Sequence, residues 1–497
     1  MARTCIVCGN AAGSGEHVFP ASLGGRRTNK GIYCTPHDNG YSSLVAELGS
    51  QVDIFNAHLG VVMDHSKASK SVVAKDKETG QELRLSAEEN RFTAPRVISQ
   101  LPLEKGVLQH MAFPDRKSMN DWIAEQKAQG NDVTPLQKAE ERQYFLGEVH
   151  HQRKFGGPCG LGAVAYITQT FMAQAFPDLA RSSAVKAFLD YTQAIANVAQ
   201  IKGGCGGVVP AQPDPKLAQA QHDLRIALAA WGGKEPVWWD FDPQPDSTPN
   251  AFEFGHRVTV GVDASDGQIF GRFTLFSSIN FGMCFGIAST PIVSRTVTID
   301  IDPLAEHPPN DIRRTESSLS SARVAWPTEP TAGLAAAISG KTQEAIFANL
   351  IRRMEEHSLR KAARKMHAEL AVFSSLSSVE GDELLCRVVD KQAQRVWNLA
   401  NWVISNFKLH LAKETGAVIG PMLDMLIARD PGSPNGLSDT ASATLELAKS
   451  ALIAQMRADI KAGFLDERRI EELLGEGPGA AVVGELVLAP VVQALSR

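Results

Sequence analysis

Two pairs of metal-ligand side chains, Cys5-x-x-Cys8 and Cys34-x-x-His37, stand near the start of the chain. Nothing else in the sequence constrains the fold as strongly. A two-residue spacing lets one turn aim both members of a pair at one ion, which is how tetrahedral structural zinc is held. Residues 1–50 are rich in Gly, Cys, His and Asn and short of large apolar side chains. Such a segment cannot fill a core unaided, and a metal supplies the missing stability. The chain has 7 cysteines. Those outside the pairs (Cys159, Cys205, Cys284, Cys386) are scattered, a pattern that suits a reducing compartment with one metal site better than a disulfide framework.

The material between and after the pairs adds chemistry. Glu16-His17 opens the run EHVFPASLGG; Asn29 follows, then the second ligand pair, then Asn39. This combination, in this order, resembles the HNH endonucleases, in particular members whose ββα-metal core is braced by a four-ligand zinc site. The resemblance covers about the first 45–50 residues. It implies that His17 is the general base, a role that suits an imidazole titrating near neutral pH. It implies that Glu16 and Asn39 ligate a catalytic Mg²⁺ or Mn²⁺ through oxygen, and that Asn29 pins the loop between two strands and steadies His17. Cys5, Cys8, Cys34 and His37 are then the structural zinc ligands. One alternative stays open at His37, which could instead join the catalytic ion while the three cysteines hold zinc. Products with a 5′-phosphate and a 3′-hydroxyl follow from the same resemblance.

The remaining sequence predicts an α+β multidomain chain. Its 497 residues suggest two to four domains. We read 1–55 as the zinc-braced module, ending in a helix from about Ser42, and 56–155 as a mixed hairpin and linker region. A helical pair plus an antiparallel sheet fill 156–305, and 306–497 are mainly helical. Glu78-Thr79-Gly80 and Asp266-Gly267 mark hairpins. Gly156-Gly157-Pro158 breaks the chain before two helices at three-to-four spacing. The sheet should hold about four strands, closed off by a polar, Pro-containing segment at 306–330. Further helices are expected at 118–129, 217–231, 388–413 and 440–474.

A net charge of −5 excludes a uniformly basic surface, so any nucleic-acid contact must be local. Arg26, Arg27 and Lys30 could meet phosphates flanking the cut, and the segment RRMEEHSLRKAARKMH (352–367) carries a net excess of basic residues. Each reads equally as a solvated charged face. Glu148, His150 and His151 lack a partner motif, and the two histidines read as a surface or loop pair. Cys159, at a helix start beside glycines, reads as a packing residue before it reads as a thiol nucleophile. Trp238 and Trp239 read as core or interface residues. The opening MARTCIVCGN lacks the apolar run expected of a signal peptide, and the apolar run 480–495 is broken by Glu485 and Pro490. A cytoplasmic location and no membrane contact are expected. The expected activity is phosphodiester hydrolysis, with duplex DNA as partner and the large remainder governing access, as in defence against foreign DNA. A homodimer or higher oligomer and an activating ligand or partner protein fit that architecture. The rival is a zinc-knuckle nucleic-acid-binding or interaction protein that cuts nothing.

Overall fold

The computed structural model describes residues 3–26, 28–64, 66, 68–77, 80–87, 90–135, 149–151, 155–201, 214–241, 250–289, 293–305, 312–317, 342–430, 433 and 435–475. The protein is mixed α+β with antiparallel sheets and a helical C-terminal part. Two compact units divide it: residues 1–72, 85–90 and 151–352 form one, and 73–84, 91–150 and 353–497 the other.

The first unit opens with strands β1 (Gly15–His17) and β2 (Thr28–Lys30), which pair antiparallel with Glu16 opposite Asn29 and His17 opposite Thr28. Helix α1 (Thr35–Gln51) follows, then α2 (Asp53–Leu59). The helix expected from about Ser42 therefore starts seven residues earlier. Cys34 is its N-cap and a proline stands in the first turn, where the missing N–H costs nothing.

Helices α4 (Gly157–Ala175) and α5 (Lys186–Ala199) match the two periodic stretches, and α6 is Pro215–Ala229. Helix α6 packs on α5, and α4 and α5 pack on a sheet of β9 (Val237–Trp239), β10 (His256–Val262), β11 (Gln268–Leu275), β12 (Ile279–Ile287), β13 (Arg295–Ile301) and β14 (Ile312–Ser317). Its strand order is β14-β13-β10-β11-β12-β9.

Six strands replace the four expected. β9 is a three-residue tryptophan-bearing edge, too short to show alternation. β14 lies inside the polar segment read as a separator, because an edge strand can be polar: its Arg314 pairs with Glu316, which also binds Arg295 on β13. The central strands β10 and β11 are buried at every position, although their sequences interleave polar with apolar residues. Several of their polar side chains find partners inside the protein. Arg257 makes a bidentate pair with its register partner Asp300 (2.6 and 3.0 Å), Thr259 bonds Thr298, and Arg272 pairs with Asp240.

In the second unit, β3 (Ser71–Asp76), β4 (Glu82–Ser86), β5 (Arg91–Phe92) and β8 (Val149–His150) form a sheet in the order β5-β4-β3-β8. The hairpin expected at 70–86 is β3–β4, although Glu78 and Thr79 lie outside the described residues. β6 (Arg96–Pro102) and β7 (Val107–Ala112) make a separate ribbon, and α3 (Arg116–Ala128) is capped by the Asp115 side chain.

The C-terminal helices are α7 (Thr342–Leu370), α8 (Ser378–Asp390), α9 (Ala393–Leu409), α10 (Lys413–Leu426), α11 (Asp439–Ala462) and α12 (Glu467–Gly475). They share a core built on Trp397, Leu385, Val388, Ile404, Leu423, Leu445 and Met456. The expected helix 440–474 is two helices. Gly463 adopts φ 72°, a left-handed turn that ends α11 and that a side chain would disfavour. Helix α10 contains Pro421, which hid it from a helical reading. The runs 203–207 and 480–495 and most of 306–330 fall outside the described residues.

Candidate functional site

The hairpin β1–β2 and the start of α1 carry the candidate residues. Each ligand pair sits on a local structure that its sequence imposes. The Cys5–Cys8 loop closes with Gly9 N–H donating to Cys5 O (2.9 Å) and Cys5 N–H to Asn10 O (2.7 Å). Ile6 N–H then donates to Ile32 O (3.0 Å), laying this loop beside the strand that leads into Cys34. At the other pair, Cys34 caps α1 and His37 lies in the helix's first turn. The helix N-terminus favours a thiolate there, but burial outweighs it and raises the Cys34 thiol above its ordinary value.

The four donor atoms converge, all within 4.8 Å of one another. Cys8 Sγ lies 3.8 Å from Cys34 Sγ, and His37 Nδ1 lies 3.6 Å from Cys5 Sγ and 3.1 Å from Cys34 Sγ. A tetrahedral zinc with bonds of about 2.3 Å to sulfur and 2.0 Å to nitrogen spaces sulfurs about 3.8 Å apart, and sulfur and nitrogen about 3.5 Å apart. The quartet can hold a metal ion, and its donor set and spacing are compatible with zinc. Burial by itself raises the Cys5 thiol, but the backbone N–H groups of Cys8, Cys34 and Val7 outweigh it and hold that thiol below its ordinary value. His37 stands with the cysteines, which favours the first of its two assignments.

Arg181 secures the site from outside the motif. Its Nη2 donates to the carbonyls of Thr4 (2.6 Å) and Gly31 (3.3 Å), tying together the two segments that lead into the ligand pairs. Beneath them, Tyr33 is fully buried, and its hydroxyl lies 3.1 Å from Thr170 Oγ1 and accepts from Gln169 Nε2 (3.0 Å). Tyr41 stacks on Tyr166 (4.4 Å), and burial pushes its phenol up to about 12. The module is thereby rooted in α4.

His17 ends β1. Its Nε2 lies 3.1 Å from Asp64 Oδ2, and the two side chains are 27% and 18% exposed, so the ring is held yet reachable by water. The turn after β1 is equally fixed. A Cβ on Gly25 would lie 1.9 Å from Phe19 O, so only glycine fits the tight return. Asn56 of α2 donates to Ser22 O (2.9 Å) within the connection. Phe19 packs on His256 and Phe273 of the sheet.

Glu16 lies on β1 opposite Asn29, and its side chain is outside the described set. Asn29 Oδ1 accepts from Lys30 N–H (3.0 Å). Because opposed residues share a face and neighbours alternate, Asn29 and His17 lie on opposite faces of the hairpin. It is Asp64 that contacts the imidazole. Asn39 is exposed on the first turns of α1, two positions beyond His37 and so about 200° around the helix.

The weaker candidates divide. His151 lies in a loop just past β8, its side chain 8% exposed and 3.0 Å from Asp53 at the start of α2, a part-buried pair. Glu148 and the His150 side chain lie outside the described residues. Cys159 is buried at the start of α4, as expected of a packing residue, but it is disulfide-bonded. That corrects the expectation of unpaired cysteines away from the metal pairs and leaves no free thiol for nucleophilic chemistry there. Trp238 is buried, and Trp239 stacks on Phe241 (5.3 Å) and meets Phe155, so both are packing residues. On α7, Met354, Ala363, Met366 and Leu370 face the core, while Lys361, Arg364 and Lys365 are exposed, with Arg364 near Glu467 (3.6 Å). Lys30 is exposed, and Arg27 lies outside the described residues.

Asp64 and Arg181 were invisible to motif reading. They reach the site from 47 and 177 residues along the chain from their partners His17 and Thr4, and no local spacing announces them. Among the described residues, no helix is long and apolar enough to cross a membrane. Comparison with protein-family profiles, curated proteins and solved structures finds no match.

Proposed function

We propose that the protein is a metal-dependent endonuclease of HNH type, hydrolysing phosphodiester bonds with duplex DNA as the favoured substrate. One observation carries the reading. A four-donor, zinc-compatible quartet brackets a β-hairpin whose first strand ends on a partly exposed histidine, and a helix follows in ββα order.

In this reading Cys5, Cys8, Cys34 and His37 hold structural zinc. Glu16 and Asn39 offer oxygen to a divalent Mg²⁺ or Mn²⁺. The divalent ion supplies electrostatic stabilisation of the charge that builds on the phosphate and the leaving 3′ oxygen. His17 accepts a proton from the attacking water, whose oxygen forms the new bond to phosphorus. Placing Asn39 well around the helix from His37 supports two sites with separate jobs. The remainder of the protein, including the C-terminal helices, governs access, and an activating ligand or partner and a dimer that cuts both strands belong to the same proposal. The cytoplasm is the proposed location.

The test is cleavage of supercoiled plasmid, single-stranded DNA and RNA in Mg²⁺ or Mn²⁺, with a chelator control and His17→Ala alongside. Metal-dependent nicking by wild type that His17→Ala lacks is the expected result. Tight binding of these substrates without any cleavage would instead support the non-catalytic zinc-knuckle reading, which the quartet alone also fits.

A further inference from the structure

We infer that Asp64 is a positioning residue for His17, fixing the imidazole so that Nδ1 is the atom that takes the proton from water. The inference rests on the proposed role of His17 as general base.

The geometry is specific. Asp64 Oδ2 lies 3.1 Å from His17 Nε2, with both side chains partly buried. A neutral imidazole has one N–H, and a carboxylate can only accept. The contact therefore places the hydrogen on Nε2 and leaves the lone pair on Nδ1. When Nδ1 gains a proton, the carboxylate also stabilises the cation that forms. The carboxylate–histidine logic is the general one by which a second residue sets tautomer and ring orientation.

Asp64 is itself well held. The chain turns back after α2, and Val62 bridges Ser69. Lys70 N–H donates to Val61 O (3.0 Å), and Ser66 N–H closes a turn on Met63 O (3.0 Å). Asp64 lies within that turn, directly after Met63. The loop lies beyond residue 55, where the sequence alone would end the module.

The step balances. One O–H bond of water breaks, with its proton passing to Nδ1, and the oxygen lone pair forms the bond to phosphorus. The 3′ oxygen leaves with the P–O bonding pair and is protonated by solvent.

The experiment measures kcat and KM for plasmid nicking by full-length wild type, Asp64→Asn and Asp64→Glu, with zinc content and unfolding midpoint determined for each. Asp64→Asn should lower kcat about 10- to 100-fold with KM and zinc content unchanged, and Asp64→Glu should recover part of the loss. Wild-type kcat in a folded Asp64→Asn, with a cutting wild type, overturns the role of Asp64 alone. A wild type that cuts nothing overturns the nuclease reading and this role with it. Should Asp64→Asn fold poorly, the ring-nitrogen ¹⁵N shifts of His17 in wild type decide the matter. Hydrogen on Nε2 supports the assignment, and hydrogen on Nδ1 overturns it.

Discussion

At Gly25 the chain comes back on itself so closely that a methyl group would meet the Phe19 carbonyl at 1.9 Å. The obstacle is backbone, which cannot swing aside as a side-chain end would. Gly25→Ala should therefore destabilise the protein by about 1–3 kcal/mol, read as a lower urea midpoint, and should release the connection that carries Phe19. A second residue-scale expectation concerns His256, whose Nδ1 accepts from Phe276 N–H (3.2 Å). Burial drives its pKa down from 6.5 to about 3. Between those values the unfolded chain binds a proton that the folded chain refuses. The stability this group contributes is complete above pH 6.5 and is lost as the pH falls toward 3, at up to about 1.4 kcal/mol per pH unit. His256→Gln should flatten the difference between unfolding free energies measured at pH 7 and pH 5. Any loss of metal from the quartet in acid acts on both chains alike, so the comparison isolates the histidine. The quartet was legible in the sequence because two-residue spacing is a local signal that a turn converts directly into geometry. Asp64 was not legible, because a carboxylate delivered by a distant loop leaves no mark near the histidine it touches.

Elements were legible where one signal dominated. The α4 and α5 periodicities and the Asp266-Gly267 hairpin gave correct elements. Strands β9 and β14 were missed because edge strands need neither length nor apolar alternation, and the buried polar residues of β10 and β11 imitated a solvent face. Cross-strand pairing satisfies some of them, as in Arg257–Asp300, whose side chains are 4% and 5% exposed. Removing one partner strands a charge in the sheet. Arg257→Met alone should cost about 3–5 kcal/mol, whereas replacing Asp300 with Leu as well should return most of it. Equal destabilisation of the single and double variants, in denaturant titrations, would contradict this account of the sheet.

Across the whole molecule, the chain leaves the first unit after Val72 and rejoins it at 85–90 and again from His151. The N-terminal module depends on those later returns. Phe19 packs on His256 and Phe273, Tyr41 on Tyr166, and Arg181 clasps both ligand-bearing segments. A fragment of residues 1–55 supplied with zinc should consequently lack the cooperative unfolding transition of the full chain. A sharp, zinc-dependent melt of that fragment would show that the module stands alone.

The central claim is that one short stretch holds two sites, a zinc brace and a hydrolytic centre at His17. Its most direct test is the metal-dependent nicking rate of His17→Ala relative to wild type, measured on preparations matched for zinc content. The account predicts equal zinc and a loss of about 100-fold or more in rate. Equal zinc with an undiminished rate would contradict it.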